Sequence, residues 1–148
     1  MNYSVAVGLA ALAGMILPLQ ALINARLGAG LDHALWATNV TFVVGMLGLF
    51  AWLALTRQLD AANWAGAAAL PWWAWIGGLM GAAYVALTIV AVPVVGATAL
   101  VVLLILGQML AGTVLDHFGI LTEPDPVSLK KLLGLALVFA GTWLVVKA

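Results

Sequence analysis

The sequence contains no cysteine, and only 7% of its residues are charged. Without thiols there is no disulfide, no thiolate metal ligand and no cysteine nucleophile. Soluble domains carry roughly 25% charged residues, whereas five basic and five acidic side chains are too few to cover a water-facing surface here. The formal net charge is zero and no basic cluster exists, so nothing is present to neutralise a nucleic-acid backbone or grip an anionic lipid surface. What remains is 66% hydrophobic. The composition specifies an all-α integral membrane protein. Its length fits one domain, residues 1–148, with five transmembrane helices of ~20 residues and short loops.

Apolar runs place the spans at about 4–24, 34–55, 72–92, 97–115 and 128–147. The start, Met1-Asn2-Tyr3-Ser4, has no basic residue, and no A-x-A site closes the run, so it reads as a span rather than a cleaved signal. A turn is expected at Gly28-Ala29-Gly30-Leu31-Asp32-His33. In the connector 58–71, Asp60 is positioned to cap a short interfacial helix carrying Trp64. The stretch from Trp72 to Leu115 would make one helix ~65 Å long, about twice the hydrocarbon thickness. It must turn back, and breaker chemistry occurs only from Pro93 to Gly96. Residues 116–127, with Glu123-Pro124-Asp125-Pro126, read as an exposed loop; Lys130, Lys131 and Lys147 snorkel from the last span.

Five spans put the two termini on opposite faces. One face then carries Arg57, Lys130 and Lys131, and the other Arg26 and Lys147. A margin of three basic residues to two leaves two arrangements open: an N-terminus in the cytoplasm, or dual topology with protomers paired antiparallel. The second would build from two copies the inverted repeat that many transporters hold in one chain.

The intramembrane polar inventory is short. Gln20 and Asn24 lie four apart on one face after Pro18. Thr38, Asn39 and Thr41 sit near the start of span two, and Tyr84 and Thr88 are four apart in span three. In span four Gln108, Gly112 and Asp116 share a face, the glycine opening space between two polar groups. Lipid offers no hydrogen-bond partner, so a mid-span amide faces protein or a wet cavity. Each amide also has a packing explanation, an interhelical bond worth about 0.6 kcal/mol. Gly77 and Gly81 form a small-xxx-small pattern that permits close helix approach. Trp52, Trp64, Trp72, Trp73 and Trp75 suit an interfacial belt, and Trp36 or Trp75 could instead face a ligand. Asp32-His33 and Asp116-His117 sit at span ends, where interface anchoring is expected rather than a metal site. No acid lies deep in any span; Asp116 is the candidate for proton coupling.

The order of these residues resembles the five-helix YdcZ-type family of the drug/metabolite transporter superfamily. The resemblance rests on Gly96-Ala97-Thr98 followed by Gln108, Gly112, Asp116 and Phe118-Gly119. Gln20 with Asn24, Asn39 with Gly45, Trp72-Trp73 and Gly141-Thr142-Trp143-Leu144-Val145 add to it. It implies a small-molecule exporter of the prokaryotic cytoplasmic membrane, related to small multidrug resistance transporters that work as antiparallel dimers. Those relatives couple transport to protons through a glutamate in the first helix, where this chain has Gln20 and Asn24 but no acid. A neutral or zwitterionic substrate is therefore expected.

The expectation is a secondary transporter, acting by alternating access as a homodimer, with a cavity lined by Gln20, Asn24, Asn39, Tyr84 and Gln108. A passive channel or facilitator and a structural or accessory subunit are the alternatives. No nucleophile–base set is visible, so an enzyme is not expected, nor a cofactor. The expected partners are lipid, a small-molecule substrate and a second copy.

Overall fold

The computed structural model describes residues 2–148, and among them regular structure is entirely helical. Five helical segments are long and apolar enough to cross a membrane. α1 (Tyr3–Gly30) starts where the Asn2 side chain accepts a hydrogen bond from the Ser4 N–H and runs unbroken through Pro18. The turn after it is shorter than the glycines suggest, because Gly28, Ala29 and Gly30 are all helical. The helix closes instead with Asp32 in the left-handed region at φ 50° and a bond from the His33 N–H to the Gly28 carbonyl, a Schellman-type end.

α2 (Ala34–Leu55) matches its expected limits. His33 caps it, Nδ1 accepting from the Trp36 N–H. At its far end Arg57 takes φ 55°, and the Arg57 and Gln58 N–H groups bond back to the Ala54 and Leu53 carbonyls. The short α3 (Trp64–Ala68) is capped by Asn63, whose Oδ1 accepts from the Gly66 N–H at 3.0 Å. Asp60 does not serve, since a cap must directly precede the first turn to reach its free N–H groups.

A 3-10 turn over Trp72–Trp75 follows Pro71 and leads into α4 (Gly77–Val95). The helix passes through Pro93 and ends at Val95, three residues beyond the expected limit at Val92, and the helical run breaks at Gly96 with φ 81°. A proline near a helix end forfeits one bond but keeps helical φ, whereas glycine adopts the positive φ found at Gly96 without a steric cost. α5 (Ala97–Phe118) extends beyond its expected limit at Leu115, and α6 (Leu129–Lys147) is capped by Ser128.

Internal contacts sort the chain into two compact units, the first ending at Val90 and the second covering Ala91–Ala148. In the first, Ala37 of α2 packs with Val85 and Ile89 of α4, flanked by Leu27, Ala34 and Tyr84. Gly28 is the close-approach residue: a Cβ there would sit 2.8 Å from Ile89 Cγ2 and 3.7 Å from Ala37 Cβ. Gly77 has open space around it, and Gly81 would make ordinary contact with Phe42, so this pattern does not mark the tight crossing. In the second unit, α5 and α6 form a hairpin. Gly119, at φ 63°, ends α5 with bonds from the Gly119 and Ile120 N–H groups to the Asp116 and Leu115 carbonyls. The loop is then tied down: the Asp125 N–H reaches the Asp116 carbonyl at 2.8 Å, and Lys131 pairs with the Asp125 carboxylate at 2.6 Å.

Candidate functional site

The first unit holds the densest arrangement of intramembrane polar groups. Asn24 on α1 is 5% exposed, and its Oδ1 accepts a 2.9 Å hydrogen bond from the Thr41 hydroxyl on α2. One turn before Asn24, Gln20 is exposed and faces the same groove as Thr41. This groove, about 510 Å³, is otherwise lined by Phe42, Gly45, Met46, Leu49, Phe50 and Leu53. Its volume falls within the range typical of small-molecule sites, as does the pattern of a few convergent polar groups in an apolar wall. No charged residue lines it.

The groove lies beyond the point where α1 and α2 are joined. Around Asn24–Thr41 and Gly28–Ala37 small or hydrogen-bonded side chains hold the helices together. From Tyr3 to Gln20, by contrast, α1 has no buried residue, and Gly45 of α2 has open space beside it. All the lining except Gln20 comes from one stripe of α2, at 41, 42, 45, 46, 49, 50 and 53, the i, i+4 spacing of a single helix face.

The other expected site residues lie elsewhere. Asn39, two residues from Thr41, points about 200° away around the helix; it lines a second groove of about 390 Å³ with Leu35, Thr38, Leu79, Ala82, Ala83 and Ala86, and its Nδ2 donates to the Leu35 carbonyl at 2.9 Å. Phe42 borders both grooves. Tyr84 is half-buried against the apolar cluster. Gln108 belongs to the second unit, is exposed on α5 and lines neither groove. Asp116 is half-buried at the end of α5, its carbonyl holding the loop. Beside it, His117 Nδ1 accepts from the Val127 N–H at 3.4 Å. Both histidines thus act as backbone acceptors at helix ends, and no group of three histidine, aspartate or glutamate side chains is gathered for a metal among the described residues.

The second unit offers a contrasting surface. Thr142 is buried and donates to the Val102 carbonyl at 3.3 Å. The groove beside it, about 280 Å³, is lined by Val102, Ile105, Val138, Gly141, Thr142 and Val145. Its polar side chain is already engaged with the backbone.

Thr41, present in the intramembrane polar inventory, is the groove residue absent from the expected cavity lining. The signal was available in the seven-position stripe of α2, which places Thr41, and not Asn39, at the head of a continuous apolar face. No curated protein and no solved structure matches the chain. The family model described as "Putative inner membrane exporter, YdcZ" matches residues 5–144, and with five membrane-length helices over that span, the chain belongs to this family of multi-pass inner-membrane proteins.

Proposed function

We propose that this protein is a small-molecule secondary transporter of the drug/metabolite type that exports its substrate through the α1–α2 groove. The observation that carries the reading is the pairing of a partner-free amide, Gln20, with a hydroxyl fixed by a buried asparagine, in a groove of ligand size at membrane depth. Such a groove gives orientation through two polar groups and affinity through its apolar wall. No acid lies within α1, so the substrate binds without neutralising a carboxylate, and a neutral or zwitterionic molecule fits better than a cation. Asn24, Asn39, Tyr84 and Gln108 remain members of the proposed transport path. Asp116, at the end of α5, is the proposed coupling group.

The working unit is proposed to be an antiparallel homodimer acting by alternating access. Two features support this: the near balance of basic residues between the two faces, and amides at Gln20 and Gln108 that are exposed at membrane depth, where a second copy would relieve their cost. Transport in such a dimer moves the repeats around a shared site.

The test is concentrative efflux of a panel of neutral and zwitterionic solutes from proteoliposomes. Gln20→Ala is expected to reduce flux at least about tenfold, the equivalent of one lost hydrogen bond of ~1.4 kcal/mol, while leaving the melting temperature unchanged. Unchanged flux would remove Gln20 from the site. Flux that only dissipates an imposed gradient would make the protein a facilitator. Topology has its own test in this cysteine-free chain: single cysteines at position 32 or 117 are expected to label from both membrane faces. Labelling from one face alone would exclude dual topology.

A further inference from the structure

Resting on the transport reading of the same groove, we infer that the substrate is a neutral amphiphile: a hydrocarbon chain with one uncharged hydrogen-bonding head, bound with the head at membrane depth on Gln20 and Thr41. The lining is divided lengthwise. Both polar residues are at one end, and the rest of the wall, from Phe42 to Leu53, is aromatic, aliphatic, thioether or glycine. Thr41 and Leu53 are separated by twelve helical residues, about 18 Å along the axis, the reach of a medium-length acyl chain. No formal charge lines the groove to balance an ionic head, and an unpaired ion would be expelled from it.

The polarity of the groove separates such a substrate from an ordinary bilayer lipid. α2 crosses the full hydrocarbon layer, and Thr41 lies about 10 Å in from the start of the helix. The apolar end at Leu53 is the end near the interface, with Arg57 one turn beyond it. A phospholipid in the groove would set its headgroup by Arg57 and its tail against Gln20 and Thr41, burying their polar atoms against hydrocarbon. From the opposite leaflet, no lining residue precedes Thr41 on α2 to accept a chain. The groove is built for a head that leaves the interface and enters the membrane.

The head is also chemically specified. Thr41 spends its proton on Asn24, which leaves its oxygen as an acceptor, while the Gln20 amide offers donors and an acceptor together. A primary amide or a hydroxyl satisfies both; a quaternary ammonium satisfies neither, and a sulfonate can only accept.

Three photoreactive probes test this in phosphatidylcholine nanodiscs. Each has the same dodecyl chain with a diazirine at its far end, and the heads are a carboxamide, a trimethylammonium and a sulfonate. The carboxamide probe is expected to label Leu49–Leu53 saturably, displaced by plain dodecanamide, with the charged probes at least tenfold weaker. Gln20→Leu should lower carboxamide labelling about tenfold, and Gln20→Asn should retain most of it. Equal labelling by all three heads, labelling centred on Thr41–Met46, or indifference to Gln20→Leu would each overturn the inference. If the carboxamide probe fails while Gln20→Ala still abolishes flux of a compact zwitterion, the substrate class is wrong and the transporter reading stands. If the probe binds as expected but no solute is moved, the amphiphile site stands and transport does not.

Discussion

The α1–α2 pair and the α5–α6 pair are both helical hairpins of membrane length, yet they are held together by different means. The first is tied by one side chain to another, Asn24 to Thr41, with an unsatisfied amide one turn away. The second is tied by a side chain to the backbone, Thr142 to the Val102 carbonyl, and by a loop locked at Gly119, Asp125 and Lys131. A bond between two side chains beside an open groove can be rearranged around a ligand. A bond to a helix carbonyl fixes the crossing and has nothing spare to offer. On the proposed transport reading, the first pair recognises and the second braces.

The largest effects are expected at two glycines, Gly119 at the end of α5 and Gly28 on the packed face of α1. Gly119→Ala meets both a backbone and a steric obstacle, since φ is 63° and the new Cβ would lie 2.6 Å from Pro124 Cγ. It should cost about 1–2 kcal/mol from the left-handed backbone alone, and more from the contact, read as a lowered midpoint in thermal unfolding by circular dichroism. Pro124→Ala should rescue only the steric share. Gly28→Ala faces only the Ile89 methyl at 2.8 Å, so overpacking of ~1–3 kcal/mol is expected, and Ile89→Ala should restore most of it. Complete rescue of Gly119→Ala by Pro124→Ala would show that its φ carries no cost and that the two positions are alike. The smallest effects come from the hydrogen bonds themselves. Asn24→Leu and Thr142→Val should each shift stability by roughly 0.6 kcal/mol, but only Asn24→Leu should lower flux in the proteoliposome assay. Equal flux loss in both would end the division between a recognising and a bracing pair.

Much of the fold was legible in the chain. α2 covers the apolar run expected at about 34–55, which starts just after Asp32-His33 and ends at Thr56-Arg57. Two of the displaced boundaries, at the ends of α1 and α4, share one cause: glycine and proline are not only local punctuation. Gly28 looked like part of a turn and is instead the packing face of α1, where a missing side chain admits Ile89. The expected break over Pro93 to Gly96 falls at Gly96, and Pro93 lies inside α4. Whether a glycine bends a chain or admits a neighbour depends on what lies across from it, and no local window contains that information. The same holds for Asn39 and Thr41. Both are polar and two residues apart, and only the crossing of α1 over α2 determines that Thr41 meets Asn24 while Asn39 turns back to its own helix.

Amino-acid composition dictates a membrane protein of five long helices, because too few charges leave the chain no surface for water, and lipid requires every backbone group to be paired within a helix. Residue order also shows which polar groups lie at membrane depth and that none of the deep ones is an acid. Which of them meet depends on how the helices pack. Gly28 of α1 meets Ile89 of α4, Asn24 of α1 meets Thr41 of α2, and beside that bond lies a groove whose two polar side chains are Gln20 and Thr41 and whose remaining wall is apolar. Side-chain identity follows from the gene; which side chain faces which is set by the packing of helices distant in sequence.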